Sequence, residues 1–185
     1  MKKLLYFLPL LFALHCTGQT KEDILNQCGR LIDTGSNSFY MLDAAHVIHD
    51  IGSRAVKNLS ALVPDSIRQQ LLNNYLTDTA TEKWNCNIIT SGKCLEENST
   101  PPTSHFNHQA YTFKHLDQDG RRIKETISEI YSFSKPVYDN NHLYALLLVT
   151  CDKLGSSEKG LFILKKENSK WTVLGKLTGI VIKGI

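Results

Sequence analysis

Residues 134–177 read SKPVYDNNHLYALLLVTCDKLGSSEKGLFILKKENSKWTVLGKL. Apolar runs alternate here with short groups of Asp, Asn, Gly and Ser, which favour tight turns. The pattern predicts three strands, and because connections this short cannot cross a sheet, neighbouring strands must be antiparallel. The run from Leu143 to Cys151 is apolar on both faces, which is typical of a central strand covered on both sides. We therefore expect the chain to fold around an antiparallel sheet.

Turn residues separate the predicted strands at three places. They lie at 139–141, before the central strand, at 155–160, after it, and at 168–170, before the strand that starts at Trp171. Pro136 lacks a backbone N–H, which confines it to a sheet edge, a bulge or the start of a strand.

The rest of the chain predicts helices first and strands later. The spacing of apolar residues favours helices over 21–33, over 39–60 and from Pro64 onward. Strands are expected at 84–90, 110–115 and 122–133, although the last segment also fits a helix. Helices followed by strands indicate an α+β fold, with N-terminal helices packed on a C-terminal antiparallel sheet of about four to six strands.

Residues 1–18 have the composition of an export signal. Two lysines at the start precede an apolar core at 4–14, and Gly18 offers a small residue for cleavage. The core falls short of the ~20 apolar residues that span a bilayer. Acylation of Cys16 would instead produce a lipoprotein, but that processing requires a small residue before the cysteine, and His15 is not small.

Removal of this leader leaves 19–185, which is long enough for one domain with a substantial core. The formal net charge of +3 at pH 7 falls to +1 because Lys2 and Lys3 leave with the leader. Such a balance predicts no nucleic-acid partner. We expect a secreted or periplasmic bacterial protein with no transmembrane segment after cleavage.

The cysteines of the mature chain are Cys28, Cys86, Cys94 and Cys151. In an oxidising compartment four cysteines allow three disulfide connectivities. The short spacing favours a Cys86–Cys94 bridge around a small loop. Cys28 and Cys151 then either pair with each other, or Cys151 is a small buried hydrophobic residue in its strand.

The motifs Ser-x-Pro-Val-Tyr at 134–138 and Leu-Phe-Ile-Leu-Lys-Lys-x-Asn-x-Lys-Trp at 161–171 carry a resemblance. Together with the intervening strand that ends in Cys151, this region resembles secreted proteins of Bacteroidetes-type bacteria. The resemblance covers about residues 130–175 and implies an exported β-rich domain without implying an activity. Such proteins often carry a second cysteine shortly after the first, where this chain has Gly-Ser-Ser at 155–157.

Histidines supply the candidate metal ligands. His46 and His49 stand three residues apart on a predicted helix, so both can face one metal ion, with Asp43 or Asp50 as an oxygen donor. The alternative is a pair of partly exposed histidines on an amphipathic helix. The His-Glu-x-x-His pattern of zinc proteases is missing from the sequence.

Two further segments have a functional and a simpler interpretation. His105 and His108, with His115 further on, either form a surface metal site or belong to a solvated loop. The run at 117–120, Asp-Gln-Asp-Gly, is similar to the start of a calcium loop, but two arginines follow it, and a hairpin turn explains the same letters.

Several catalytic motifs do not occur in the sequence: the Gly-x-Ser-x-Gly elbow, the glycine-rich phosphate loop and Cys-x-x-Cys. Glu125 and Glu129 form a possible acid–base pair or are simply solvated. The aromatic residues near the sheet either face outward as a binding surface or belong to the core; they are Tyr131, Phe133, Tyr138, Tyr144, Phe162 and Trp171.

These observations predict an exported non-enzymatic binding or interaction module, with a protein or small-molecule partner, no cofactor and no assigned catalytic residue. The alternative is an extracytoplasmic hydrolase or metal-dependent enzyme that uses His46 and His49, or the loop at 105–108.

Overall fold

A computed structural model describes residues 20–28, 39–45, 58–78, 82–95, 111–116, 122–127, 129–153 and 156–178. The helices bounded within these ranges are α1, Glu22–Gln27, and α2, Asp65–Thr77. The strands are β1, Phe39–Leu42; β2, Ala44–Ala45; β3, Glu82–Lys83; β4, Gly92–Leu95; β5, Tyr111–Leu116; β6, Arg122–Ile127; β7, Glu129–Phe133; β8, Val137–Tyr138; β9, Tyr144–Lys153; β10, Ser156–Glu167; and β11, Lys170–Thr178. No helix in these ranges combines the length and the apolar character needed to cross a membrane.

The main sheet has seven strands and is mixed. Its order is β11-β10-β9-β7-β1-β4, and the short β8 also pairs with β9. The last four long strands, β7, β9, β10 and β11, are antiparallel neighbours, whereas β1 runs parallel to both β7 and β4. Two small antiparallel pairs, β2–β3 and β5–β6, lie outside this sheet.

The predicted architecture is therefore correct as α+β but wrong in its sheet. The sheet is not purely antiparallel, it has more strands than expected, and it takes β1 and β4 from the part of the chain before residue 96. The helix predicted over 39–60 begins as a strand, in which Phe39 and Met41 are buried and Tyr40 and Leu42 are only half-buried. Four residues are too few to distinguish this alternation from a helical stripe.

Of two local predictions upstream of β9, one is wrong and one is confirmed. Residues 84–90 were expected to form a strand but contain a turn at 86–88, and the strand follows it as β4. The strand predicted over 122–133 is confirmed in the described residues 122–127 and 129–133, which form β6, paired with β5, and β7, in the main sheet. Local propensity does not reveal that its two halves have different partners.

The three C-terminal strands agree with the sequence. The turn between β10 and β11 holds Asn168 and Ser169, both at positive φ, as a two-residue hairpin with the type I′ twist requires. The turn predicted at 155–160 is wrong over 156–160, because β10 already begins at Ser156, and Gly155 lies outside the described residues. Gly160 lies inside that strand, where a Cβ would come within 2.6 Å of the Lys176 side chain, which crosses the Phe162 ring.

Both faces of the sheet are covered. On one face α1 packs with Trp84 against Phe133 and Leu147; we call this cluster the α1-side core. On the other face, α2 and the helical turn at 58–63 pack against residues of β9 and β10; we call this the α2-side core. Its fully buried members include Leu59, Leu71, Leu146, Leu161 and Ile163. Successive residues of β9 enter opposite cores, which confirms the predicted central strand.

Both helices start where the sequence indicates. The Thr20 backbone N–H donates to Asp23 Oδ2 at 2.9 Å, which is one half of a capping box before α1. Helix α2 begins directly after Pro64 and turns Leu71 into the α2-side core. Because α2 lies against β8 and β9, its C-terminal turns form one wall of a cleft at the sheet edge.

Candidate functional site

A cleft of about 520 Å³ lies between the last turns of α2 and the segment 135–142. Asn74, Thr77 and Asp78 line it from the helix, and the loop and strand residues that surround β8 line it from the other side. Small-molecule sites in proteins commonly have about 300–1,000 Å³. The cleft is therefore large enough for a small ligand.

The cleft exists because the chain is interrupted between β7 and β8, which both pair with β9. Phe133 pairs with Val149, and Val137 pairs with Leu146. Between these two pairs the β7–β8 segment has one residue more than β9. Such an extra residue is a bulge, and Pro136 lies within it, as its missing N–H predicts. The bulge turns the chain away from β1 and leaves β8 with β9 as its only partner among the described strands.

The open edge of β8 faces α2. Asp139 donates its backbone N–H to Tyr144 O, so the preceding pair, Tyr138 with Ala145, is a non-hydrogen-bonded pair whose N–H and C=O point away from each other's strand. Tyr138 O accepts a hydrogen bond from Asn74 Nδ2 at 2.7 Å. A helix side chain thus occupies part of the backbone edge that a further strand would otherwise pair with.

A tight turn forms the outer wall of the cleft. The buried Asp139 carboxylate accepts hydrogen bonds from the backbone N–H groups of Leu143 and Tyr144, each at 2.7 Å, and a longer one from Asn141. His142 follows at a φ of 55° and stacks on Tyr138 with ring centroids 4.8 Å apart. The turn therefore holds the exposed His142 imidazole against the ring of Tyr138.

An ionic network closes the inner end of the cleft. Lys135 Nζ lies 3.0 Å from Asp78 Oδ2 and 3.3 Å from Glu82 Oε1, and Lys21 Nζ lies 2.7 Å from the other oxygen of Glu82. Burial lowers the pKa of Lys135, but its hydrogen bonds to Asp78 and Glu82 outweigh burial, so the pKa rises above 10.5. Lys135 therefore remains an ammonium group at neutral pH.

The cysteines divide as the sequence allowed. Cys86 and Cys94 form a disulfide with their Cα atoms 5.7 Å apart, which is the predicted bridge. Cys28 and Cys151 are free and buried, so they do not pair. Cys28 Sγ donates to Trp171 O at 3.1 Å, and burial raises its pKa to about 11. Burial also raises the pKa of Cys151, so both are thiols rather than reactive thiolates at neutral pH.

Most histidines proposed as metal ligands lie outside the described residues: His46, His49, His105 and His108, as does the segment 117–120. Of their proposed helpers, Asp43 forms an ion pair with Lys83. Within the ranges that the structure describes, no group of three or more His, Cys, Asp or Glu side chains is close enough to hold a metal ion. Glu129 accepts a hydrogen bond from the Tyr131 hydroxyl at 2.8 Å and forms an ion pair with Lys153.

Of the two alternatives for the aromatic residues near the sheet, the structure favours the core. Tyr131, Phe133, Phe162 and Trp171 are buried, and Tyr138 is half-buried beneath His142. Sequence reasoning marked 139–141 as a turn but missed the cleft behind it. The run Asp-Asn-Asn-His was the available local signal, because Asp and Asn organise turns through their side chains.

Comparison with known protein families, with curated proteins and with solved structures finds no match. The role of the cleft is therefore inferred from the contacts and charges of the residues that line it.

Proposed function

We propose that this chain is an exported, non-enzymatic binding protein whose ligand site is the cleft between α2 and residues 135–142. The observation that carries the proposal is the preorganisation of the cleft's polar groups. Asn74, Lys135 and Asp139 are each held by short hydrogen bonds or ion pairs before any ligand arrives. Groups that are already ordered lose little conformational entropy on binding, which favours affinity.

The ionisation of Lys135 favours binding over catalysis. A lysine that acts as a general base needs a pKa lowered toward the working pH. The hydrogen bonds to Asp78 and Glu82 shift the pKa of Lys135 in the opposite direction. This lysine suits a permanent donor of hydrogen bonds, not a group that exchanges protons.

Export is supported by the leader at 1–18 and by the Cys86–Cys94 disulfide, a bond typical of oxidising compartments. We propose cleavage after Gly18 and a secreted or periplasmic mature chain. The intact mass of the exported protein tests this: a mass that starts at Gln19 agrees, whereas a mass that retains 1–18 or carries lipid on Cys16 contradicts it.

A fragment screen by ¹H–¹⁵N NMR on the mature chain tests the site. We expect small polar fragments to shift the amide resonances of 135–142 and of the last turn of α2. His142→Gly removes the imidazole and tolerates the positive φ, so it should weaken these fragments about fivefold, the effect of roughly 1 kcal/mol.

The matched control is Asn168→Gly, which makes the same kind of change at another positive-φ turn position and should leave fragment affinity unchanged. Fragments that cluster on another surface, or that shift none of these amides, would refute the proposed site.

A further inference from the structure

We infer that the cleft selects an uncharged ligand with several hydroxyl groups, of the mono- or disaccharide class. This inference rests on the proposed function, since it names the chemistry of the ligand in that same site. Three features carry it: the charge balance of the cleft, its hydrogen-bonding groups and its aromatic wall.

The charge balance disfavours ions of either sign. An anion that approaches Lys135 meets Asp78 and Glu82, whose carboxylate oxygens lie 3.0 and 3.3 Å from the ammonium. A cation that approaches Asp78 meets the same ammonium. The remaining carboxylate of the cleft, Asp139, already accepts hydrogen bonds from three backbone N–H groups of its own turn. A charged ligand would therefore lose its hydration without gaining an unopposed partner.

The hydrogen-bonding groups suit hydroxyls, each of which donates one hydrogen bond and accepts others. Lys135 and Asp78 place a donor and an acceptor side by side at the inner end. At the outer end, Asn140 Oδ1 accepts from Asn74 and the Asn140 backbone N–H donates to Gln70 Oε1, while within the described part of the chain no hydrogen bond engages the side-chain Nδ2 of Asn140. Adjacent hydroxyls on one ring can span such alternating donors and acceptors.

The aromatic wall supplies the apolar surface that a sugar ring needs. His142 is exposed, and its ring is stacked on Tyr138 with only 10° between the planes. His and Tyr side chains present an apolar ring body beside their polar atoms, so the C–H groups on one side of a pyranose can pack against such a ring. The volume of about 520 Å³ lies within the usual range for ligands of this size.

Titration of the ¹⁵N-labelled mature chain with matched sugars tests the inference. The probes are neutral hexoses and their disaccharides, together with glucuronate and glucosamine, which differ mainly in charge. We expect at least one neutral sugar to shift the Thr77, Asn140 and His142 amides and to bind more tightly than either charged sugar. Lys135→Met should weaken it about tenfold, as expected for one charge-assisted hydrogen bond.

The control variant is Lys165→Met, which breaks a comparable lysine–glutamate pair away from the cleft, on β10, and should leave sugar affinity unchanged. If Lys135→Met does not fold, His142→Gly should still lower sugar affinity. Tighter binding of a charged sugar, or cleft shifts with polar fragments but not with neutral sugars, would overturn the inference and leave the proposed site intact. If neither fragments nor sugars shift the cleft, both proposals are wrong.

Discussion

Asp139 is the residue on which the outer wall of the cleft depends. It is a carboxylate with only 1% of its surface exposed, and its two shortest hydrogen bonds come from the backbone of Leu143 and Tyr144. Buried carboxylates are tolerated when such donors replace water. The side chain therefore fixes the turn that carries Asn140 and His142.

Removal of this carboxylate should destabilise the protein. Asp139→Ala leaves three backbone N–H groups without their acceptor, and we expect the free energy of unfolding to fall by roughly 2–3 kcal/mol. Asp139→Asn keeps one oxygen acceptor, so its loss should be about 1 kcal/mol. Urea denaturation of both variants measures the difference. An Asp139→Ala variant as stable as the parent would show that the turn is held by other contacts.

Among the elements, α1 is attached to the disulfide loop through side-chain hydrogen bonds. Asn26 Nδ2 donates to Ile88 O at 2.7 Å, and Asn26 Oδ1 accepts from the Thr90 N–H at 2.8 Å. Ser91 Oγ donates to Leu25 O at 3.0 Å. The Cys86–Cys94 bond holds this loop to the edge strand β4, so it also supports the cover of the α1-side core.

Loss of the disulfide should lower stability and loosen α1. The chain-entropy model gives about 2–3 kcal/mol for a loop of this length. We expect the Cys86→Ser/Cys94→Ser variant to unfold at lower urea concentration and to show faster amide hydrogen exchange in α1. Reductant should destabilise the parent but not this variant. Cys28→Ala is the control and should remain sensitive to reductant, because its thiol forms no disulfide. If reductant does not change the stability of the parent protein, the prediction is wrong.

The link between β3, α1 and the bulge before β8 should be sensitive to acid. The hydrogen bond from Lys21, with a further one from Lys135, holds the pKa of Glu82 below 4.5 against the opposing effect of burial. A carboxylate whose pKa is lower when folded contributes stability above its ordinary pKa and loses it as the pH falls through the folded value. As the pH falls from neutral to about 3, the free energy of unfolding should decrease less for Glu82→Gln than for the parent.

The control for this acid dependence is Glu158→Gln, which alters an exposed carboxylate of β10. Its stability should follow the parent curve below about pH 4.5. If Glu82→Gln and Glu158→Gln give the same curve, the network around Lys135 does not contribute to acid sensitivity.

At the scale of the whole molecule, the sheet separates two cores. Leu146 and Leu147 are adjacent in β9 and both fully buried, yet Leu146 belongs to the α2-side core and Leu147 to the α1-side core. Neither core alone includes both helices. The stability of the fold therefore depends on cover on both sides of one strand.

Truncation of either leucine should thus be damaging. We expect Leu146→Ala and Leu147→Ala each to lower the free energy of unfolding by about 2–5 kcal/mol, the usual effect of a buried cavity. Leu143→Ala, at a side chain that is 47% exposed, should change it by less than about 0.5 kcal/mol. Thermal and urea denaturation test the series. If one of the two buried variants matched Leu143→Ala, that face of β9 would not be packed.

The sequence by itself determined those features whose causes lie within a few residues of one another. The turn residues Asn168 and Ser169, the helix start after Pro64 and the close spacing of Cys86 and Cys94 all agree with the structure. Each depends on a local property: tolerance of positive φ, a fixed φ without an N–H, or a short loop. The burial of β9 on both faces is also predicted by the apolar residues of its own sequence.

Only the tertiary structure decided the mixed sheet and the cleft. Met41 of β1 pairs with Tyr131 of β7 in a parallel arrangement. The residues around Phe39 contain no local pattern that predicts this pairing. In the cleft, Asn74 meets Tyr138 from 64 residues away, and Lys135 meets Asp78 from 57 residues away. The physical reason is that strand partners and ion pairs depend on the surface that a distant segment presents, whereas turns and caps depend on the residue's own backbone.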